Sequence, residues 1–284
     1  MVARDPDRGR PGNALQARLR PHPANDVTKP GESRRIDFNC DLGEGCGDDA
    51  AILPQVTSAN IACGGHAGDE ATMRATLRLC RAHGVAAGAH PSFDDREHFG
   101  RRALALPPAD IAQAVRAQIE RLVAIAAEEG VRLTHVKPHG ALYNVAADDR
   151  AVADAIAATV KAFDPSLVLF GLSGSALTDA GSAHGLRVAH EVFAERGYDR
   201  RGRLLPRGSE GAVIESLDAA IAQVRRLATR GEVVANDGSI VALRADTLCL
   251  HGDRSDAALF AKAVRDALET DGIVVASIPV KGLP

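Results

Sequence analysis

Short runs of β-prone apolar residues recur along the chain from Arg35 onward, and Ala- and Leu-rich segments separate most of them. The strand-like runs read IDFNC, TSANIA, VAAGAH, LTHVKPH, LVLFGL, LRVAHE and TLCLH. Helical spacing is found over residues 69–82, 108–129, 149–163 and 255–269. Strands and helices that alternate in this way predict a parallel sheet.

The number of strand-like runs favours a barrel over a small open sheet. Seven runs are present, and GIVVASI near the C-terminus would supply an eighth. We therefore expect one α/β domain over residues 35–284, with about seven parallel strands. Ser255 is a suitable N-cap for the last helix, and Gly84 and Gly130 stand where helices end with a C-cap glycine.

Three segments do not fit this alternation of strands and helices. Residues 1–34 are rich in Pro, Gly and Arg without apolar periodicity, which predicts a disordered N-terminal tail or an over-extended start. The tail lacks the continuous apolar run of a signal peptide. Residues 193–214 predict a long basic loop, and GEVVANDGSIVAL predicts a hairpin that turns at Asn236-Asp237-Gly238.

Composition narrows the function classes. The 284 residues are 45% hydrophobic and 25% charged with a formal net charge of -3, a balance that favours neither nucleic acid nor a membrane surface as partner. No apolar run approaches the roughly 20 residues that span a bilayer. The five cysteines are scattered and form no zinc or disulfide pattern, so we expect a reducing cytoplasm, with the cysteines as packed residues or, alternatively, one as a nucleophile.

Ionisable side chains are concentrated where the predicted strands end. Strand side chains alternate between faces, so Asp37, Asn39 and Asp41 share one face of the first strand. His135, Lys137 and His139 share a face in the fourth run by the same reasoning. Functional groups of parallel barrels lie at the carboxyl ends of the strands, which predicts an active site there.

Other strand ends add to this set. His90, Glu191 and His251 end their strands, and His66 and Asp69 follow the second strand beside a glycine pair. Each alone has an ordinary explanation, a satisfied turn histidine or, for Asp69, a helix N-cap. Four histidines at four different strand ends, each close to Gly or Pro, favour a shared functional site.

Two kinds of chemistry suit these groups. Lysine and histidines beside carboxylates serve general acid/base catalysis if burial and mutual charge bring their pKa values toward neutrality. The same residue types could bind a divalent metal, with Asp41, His66 and His90 as candidate ligands from separate strands. The sequence has neither a phosphate-binding P-loop nor a GxGxxG fingerprint.

Ordered motifs from about residue 36 to 277 resemble the LamB/YcsF family, which is associated with the A subunit of prokaryotic 5-oxoprolinase. The matching pieces are NCDLGEGCG, SANIACGGHAGD, GVAAGAHPSF, FGRR, VKPHGALYN, EVFAERGY and CLHGD. The chain departs from the family pattern at Gly45-Cys46, at Glu195 and in HPSFDDREHFGRR. These departures leave the His, Asp and Lys set intact.

The resemblance implies a deformed (β/α) barrel of the glycoside hydrolase/deacetylase type. It implies ATP-dependent opening of 5-oxo-L-proline to L-glutamate together with subunits B and C, with ATP bound in company with those partners. The catalytic residues implied are Asp41, His66, His90, Lys137, His139 and His251. The substrate-binding residues implied are Asn39, Glu44, Asp69, Glu191, Arg196 and Asp253.

Two other functions stay open at this stage. One is a stand-alone metal-dependent deacetylase or amidohydrolase, which the barrel type and the Asp and His groups suggest. The other is a non-catalytic ligand-binding subunit whose partners carry out the chemistry. The sequence also leaves open whether the chain forms a homo-oligomer.

Overall fold

A computed structural model describes residues 34–252 and 256–280, and strands alternate with helices over most of these ranges. The predicted tail, apart from Arg34, and the proposed N-cap Ser255 lie outside the described residues. The strands are β1 Arg35–Leu42, β2 Ser58–Ala62, β3 Ala86–His90, β4 Leu133–Val136, β5 Val168–Leu172, β6 Arg187–Phe193, β7 Glu232–Val234, β8 Ile240–Ala242, β9 Thr247–His251 and β10 Val274–Val275. The helices are α1 Asp49–Ile52, α2 Glu70–His83, α3 Pro108–Glu128, α4 Gly140–Asp148, α5 Arg150–Phe163, α6 Ala176–Ala183, α7 Leu217–Arg230 and α8 Ala257–Thr270.

Seven of the strands close into a parallel barrel. Their order is β1-β2-β3-β4-β5-β6-β9, and β9 pairs back to β1. The registers place Asp41 beside both Asn60 of β2 and His251 of β9. The eighth predicted strand, β10, is short and pairs only with Arg35 and Ile36 at the start of β1. The predicted barrel of about seven parallel strands is confirmed.

The helices form where the apolar spacing predicts them. In α2, Met73, Leu77 and Cys80 are buried along one face, and the helix ends at Gly84 in the left-handed conformation. Gly130 follows α3 with a φ of 65°. The four predicted helices α2, α3, α5 and α8 are confirmed, although α8 begins at Ala257 with Asp256 as its N-cap residue.

The two irregular segments are also observed. β7 and β8 form the predicted antiparallel hairpin, and Gly238 supplies the positive φ of its turn. The basic segment after β6 is a loop with two isolated bridges, Arg196 with Val213 and Tyr198 with Leu204. The Tyr198 hydroxyl accepts from the backbone N–H of Phe193, which ties the loop to the end of β6.

The barrel interior is polar and its outer layer is apolar. Phe38, Cys40 and Leu42 of β1 belong to the hydrophobic core, whereas Asp37 and Asn39 point to the interior hydrogen-bond network. The alternation along β1 therefore separates the packing residues from the functional ones. Among the described residues, no helix combines the length and the apolarity that crossing a bilayer requires.

Candidate active site at the carboxyl ends of the strands

A cavity of about 550 Å³ opens at the carboxyl ends of the barrel strands. Six of the predicted site residues line it: Asp41, His90, Lys137, His139, Arg196 and His251. The loop after β6 contributes Leu204, Leu205 and Pro206 to the same wall. The structure thus brings residues from β1, β3, β9 and the segment after β4 into one pocket.

Lys137 lies at the centre of the cavity floor between two carboxylates. Its ammonium is 2.8 Å from Asp41 Oδ1 and 2.9 Å from Glu191 Oε1, and it donates to Cys249 Sγ at 3.1 Å. Burial alone would lower the pKa of Lys137, but the neighbouring carboxylates outweigh burial and hold the pKa well above its ordinary value. Lys137 is therefore a fixed cation rather than a base poised near neutrality.

Asp41 connects the lysine to the histidines. Asn60 donates to its Oδ1 at 2.8 Å, and its Oδ2 lies 3.2 Å from His90 Nε2 and 3.9 Å from His251 Nε2. Burial raises the pKa of Asp41, but the charges of His90 and Lys137 lower it by more, so the net direction is well below the usual range. The carboxylate is held ionised.

A layer of polar side chains below the cavity fixes these groups. Asn39 donates to Glu191 Oε1 at 3.0 Å, and Asn60 donates to Asn39 Oδ1 at 2.7 Å. His135 Nε2 donates to Asn60 Oδ1 at 2.9 Å, and burial lowers the pKa of His135 to about 3, so this imidazole is neutral. Because the two amides and the imidazole are bonded to one another, the layer is rigid support for Asp41 and Lys137.

His66, His90 and His139 form a cluster beside Glu44. His66 and His139 stack with ring centroids 3.6 Å apart, and His139 Nδ1 is 2.9 Å from His90 Nε2. Glu44 Oε1 lies 3.1 Å from His66 Nε2 and 3.5 Å from His139 Nδ1. Burial lowers the pKa of His66, and burial and the two neighbouring imidazoles lower the pKa of His139 well below its usual range.

His251 forms a separate carboxylate–imidazole pair, with its Nε2 3.9 Å from Asp41 Oδ2. Its Nδ1 donates to Glu195 Oε1, and its ring stacks on Phe193. The tautomer that this bond selects leaves Nε2 with a lone pair on the side of Asp41. Such a pair is the arrangement in which a carboxylate orients a histidine as general base or acid.

Two of the predicted substrate-binding residues lie elsewhere or have other partners. Asp69 is exposed and caps α2, accepting from the backbone N–H of Thr72 at 2.8 Å, the alternative role considered for it. Arg196 lines the cavity, but it is buried and donates to the carbonyls of Ala212 and Leu205. Asp253 lies outside the described residues. Asn39 and Glu191 support Lys137, and Glu191 lies within β6 rather than at its end.

Several functional side chains were not found from the sequence. The sequence assigned no role to Glu195, yet its carboxylate accepts from His251. Asn60 and His135 were not predicted as site residues either, and they belong to the polar layer below the cavity. Period-two alternation along β2 points Asn60 inward with Ser58, so the sequence could have predicted this residue. Glu195 lies in a loop, where no periodicity indicates the direction of a side chain. Arg207, also in that loop, lines the cavity.

Two groups of side chains have the donor types and spacing to hold a metal ion. In each group the donor atoms lie within 4.8 Å of one another, and the groups are Glu44, His66, His90 and His139, and Asp41, Cys249 and His251. The predicted ligands His66 and His90 belong to the first group. Asp41 belongs to the second and is already paired with Lys137.

The fold and the site define a parallel (β/α) barrel with its ionisable groups gathered at the carboxyl ends of the strands, where barrel enzymes have their active sites. A family model described as the LamB/YcsF family matches residues 36–282. The chain belongs to that family, as its motifs predicted.

Named relatives agree with the family. The chain is 54% identical over 245 residues to the A subunit of 5-oxoprolinase from Bordetella pertussis, covering 84% of this chain and 97% of the relative. It is 52% identical over 251 residues to the A subunit of 5-oxoprolinase from Methylococcus capsulatus, covering 87% of this chain and 96% of the relative. Its fold is similar to the crystal structure of lactam utilization protein from Thermus thermophilus, with a TM-score of 0.81, 46% identity, and coverage of 86% and 100%.

Proposed function

We propose that this chain is the ring-opening subunit of an ATP-dependent 5-oxoprolinase, which converts 5-oxo-L-proline to L-glutamate with partner subunits B and C. The names of the relatives support the substrate class, and the cavity supports the chemistry. The observation that carries the proposal is the buried Lys137 ammonium, clamped by Asp41 and Glu191 among His90, His139 and His251.

The lysine suits the charge that develops when a lactam is attacked. Activation and opening of the ring place negative charge on the oxygens bound to the carbonyl carbon, and a preorganised cation beside them lowers the activation barrier without reorganisation of the site. Its carboxylate partners keep Lys137 charged throughout the reaction. This role does not require Lys137 to exchange a proton.

His251 supplies the proton transfers in this proposal. With Nδ1 bonded to Glu195, its Nε2 can take a proton from the attacking water and return it to the departing ring nitrogen. His139 is less suited to that step, because its Nε2 donates to the carbonyl of Phe99 and its Nδ1 faces His90. The sequence left His139 and His251 as alternatives, and the bonding favours His251.

The substrate carboxylate needs a cation at the cavity wall. Arg196 was the predicted partner, and its guanidinium donates to two backbone carbonyls. Arg207 lines the same cavity from the same loop, and within the described part of the chain its guanidinium has no hydrogen bond or salt bridge. Because a planar guanidinium binds carboxylates in bidentate fashion, we assign the carboxylate to Arg207 with Arg196 beside it.

An unstrained five-membered lactam resists hydrolysis because of its amide resonance. In this proposal ATP activates the lactam. Transfer of the γ-phosphate to the lactam oxygen, with release of ADP, gives an imidate-like phosphate. Water adds to its carbon, the C–N bond breaks as the ring nitrogen leaves as an amine, and a second water hydrolyses the resulting acyl phosphate to the glutamate carboxylate and phosphate. The sequence carries no P-loop. The proposal therefore places nucleotide binding with the partner subunits.

The test is 5-oxoproline-dependent ATP hydrolysis, measured for this chain alone, for subunits B and C alone, and for all three together. We expect turnover and glutamate release only from the complete set. Full activity of B and C without this chain would refute the proposal.

A second candidate is a metal-dependent amidohydrolase that needs no partner. The observation that favours it is the imidazole and carboxylate cluster of Glu44, His66, His90 and His139. Hydrolysis of a simple amide by the isolated chain, abolished by a chelator and restored by a metal, would support this candidate over the first.

A further inference from the structure

Two buried histidine nitrogens, His90 Nε2 and His139 Nδ1, face each other at 2.9 Å. His90 Nδ1 is 2.7 Å from the carbonyl oxygen of Lys137, and His139 Nε2 is 3.0 Å from the carbonyl oxygen of Phe99. A carbonyl oxygen only accepts, so both of these nitrogens carry the hydrogen. In the neutral rings, His90 Nε2 and His139 Nδ1 are therefore both acceptors, and they lie 2.9 Å apart.

The surroundings of this pair are also acceptors. Glu44 Oε1 lies 3.5 Å from His139 Nδ1, and Asp41 Oδ2 lies 3.2 Å from His90 Nε2. Lone pairs and carboxylate oxygens that converge at such distances would stabilise a metal cation placed between them.

The donor separations suit a metal ion. An ion bound about 2.1 Å from each nitrogen or oxygen holds neighbouring donors roughly 3.0 Å apart at right angles and roughly 3.4 Å apart at the tetrahedral angle. The observed separations are 2.9 Å for His90 to His139, 3.1 Å for His66 to Glu44 and 3.5 Å for His139 to Glu44.

Two of the three imidazoles make the outer bonds of metal-binding histidines, whereas His66 Nδ1 has no hydrogen-bond partner among the described residues. A ligating histidine donates its other ring N–H to a carbonyl or carboxylate, which fixes the tautomer and the ring orientation. His90 and His139 both do so through backbone carbonyls. A ligand set of three imidazoles and one carboxylate suits a divalent transition metal rather than Mg²⁺ or Ca²⁺.

We propose that Glu44, His66, His90 and His139 bind one divalent transition-metal ion of the Zn²⁺ or Co²⁺ class at the edge of the cavity. This set replaces the predicted ligand Asp41 with Glu44 and His139, because Asp41 Oδ1 already accepts from Lys137 and Asn60. The inference does not depend on the proposed function, since ion binding needs neither the lactam nor the partner subunits.

The test uses the full-length chain with any affinity tag removed, stripped with a chelator and desalted. Titration with Zn²⁺ alone is followed by calorimetry, and titration with Co²⁺ alone by its visible absorption. We expect one ion per chain, with Co²⁺ bands that report imidazole and carboxylate ligands.

Variants assign the ion to this cluster. His139→Ala and Glu44→Gln should each lose the ion, whereas His83→Ala, at an exposed histidine on α2, should bind as the wild type does. Glu44→Gln is close to isosteric and lies in a loop, so it tests the site even if His139→Ala does not fold. A folded wild-type chain that binds neither ion overturns the proposal, as do both variants binding with unchanged stoichiometry and affinity.

Discussion

Lys137 illustrates how much the immediate surroundings decide the chemistry of one side chain. A lysine at a strand end was expected to approach a neutral pKa through burial, and burial does act in that direction. Two carboxylates within 2.9 Å reverse the outcome. The sequence could predict that a lysine lies in the site. Its charge state depends on Asp41 and Glu191, which come from distant parts of the chain.

Gly88 of β3 is needed for the supporting layer because it leaves room for His135. A Cβ at this position would overlap the imidazole ring, which is itself fixed by Asn60 and by stacking on Phe170. We expect Gly88→Ala to lower the free energy of unfolding by about 1–3 kcal/mol, the usual effect of overpacking a core.

Denaturant unfolding monitored by circular dichroism measures this change. Gly171→Ala in β5 is the matched control, because a Cβ there comes no closer than 3.2 Å to the side chains of Leu177 and Thr178, without the overlap found at Gly88. An unchanged stability in Gly88→Ala would contradict the packing described for β3 and His135.

The elements themselves follow closely from the sequence. Period-two alternation placed Asp37, Asn39 and Asp41 on the inner face of β1, and apolar spacing placed α2, α3, α5 and α8. The role of Glu195 could not be found this way, since a loop has no periodicity. The pairing of Asn60 with Asp41 also needed the register between strands, which a pattern within one strand does not contain.

Substitutions of Asp69, at the start of α2, distinguish a structural role of this residue from a functional one. As an N-cap it satisfies the backbone N–H of Thr72, so Asp69→Ala should cost about 0.5–2 kcal/mol of stability. Asp69→Ser should retain most of that stability, because a serine hydroxyl also caps helices.

The accompanying measurement is turnover in the complete complex. If Asp69 only caps the helix, both variants should turn over 5-oxoproline at the wild-type rate at temperatures where they are folded. A loss of turnover in Asp69→Ser without loss of stability would restore the substrate-binding role that the family resemblance implied.

At the scale of the whole molecule, closure of the barrel buries four of the five cysteines. Cys40, Cys63, Cys80 and Cys249 are buried and Cys46 is exposed. Burial raises the pKa of Cys63 and of Cys80 to about 12, which keeps these thiols protonated at neutral pH. Alkylation of the native chain at about pH 8 should therefore modify Cys46 alone.

Mass spectrometry of the alkylated protein measures this pattern, with the denatured chain, in which all five react, as the reference. A Cys46→Ser variant should take up no label in the native state. Rapid native labelling of Cys40 or Cys249, which lie on adjacent strands of the closed barrel, would be incompatible with closure between β9 and β1.

The barrel also explains why the sequence could predict that the site residues lie together. Because parallel strands all end at one rim, residues 41, 90 and 251 meet although they are far apart along the chain. Which of these groups pair with each other was not predictable, since that depends on rotamers and on loop positions.

The most direct test of the central claim is glutamate formation from 5-oxoproline by the complete complex with Lys137→Ala or His251→Ala in this chain, folding being checked by circular dichroism. We expect turnover to fall by about 10²–10³-fold for Lys137→Ala, the usual cost of removing a donor to a developing oxyanion. His251→Ala should also lose most activity, because this imidazole carries the proton transfers, whereas an exposed variant such as Lys262→Ala should keep it. Near wild-type turnover in both folded site variants would contradict the assignment of ring opening to this cavity.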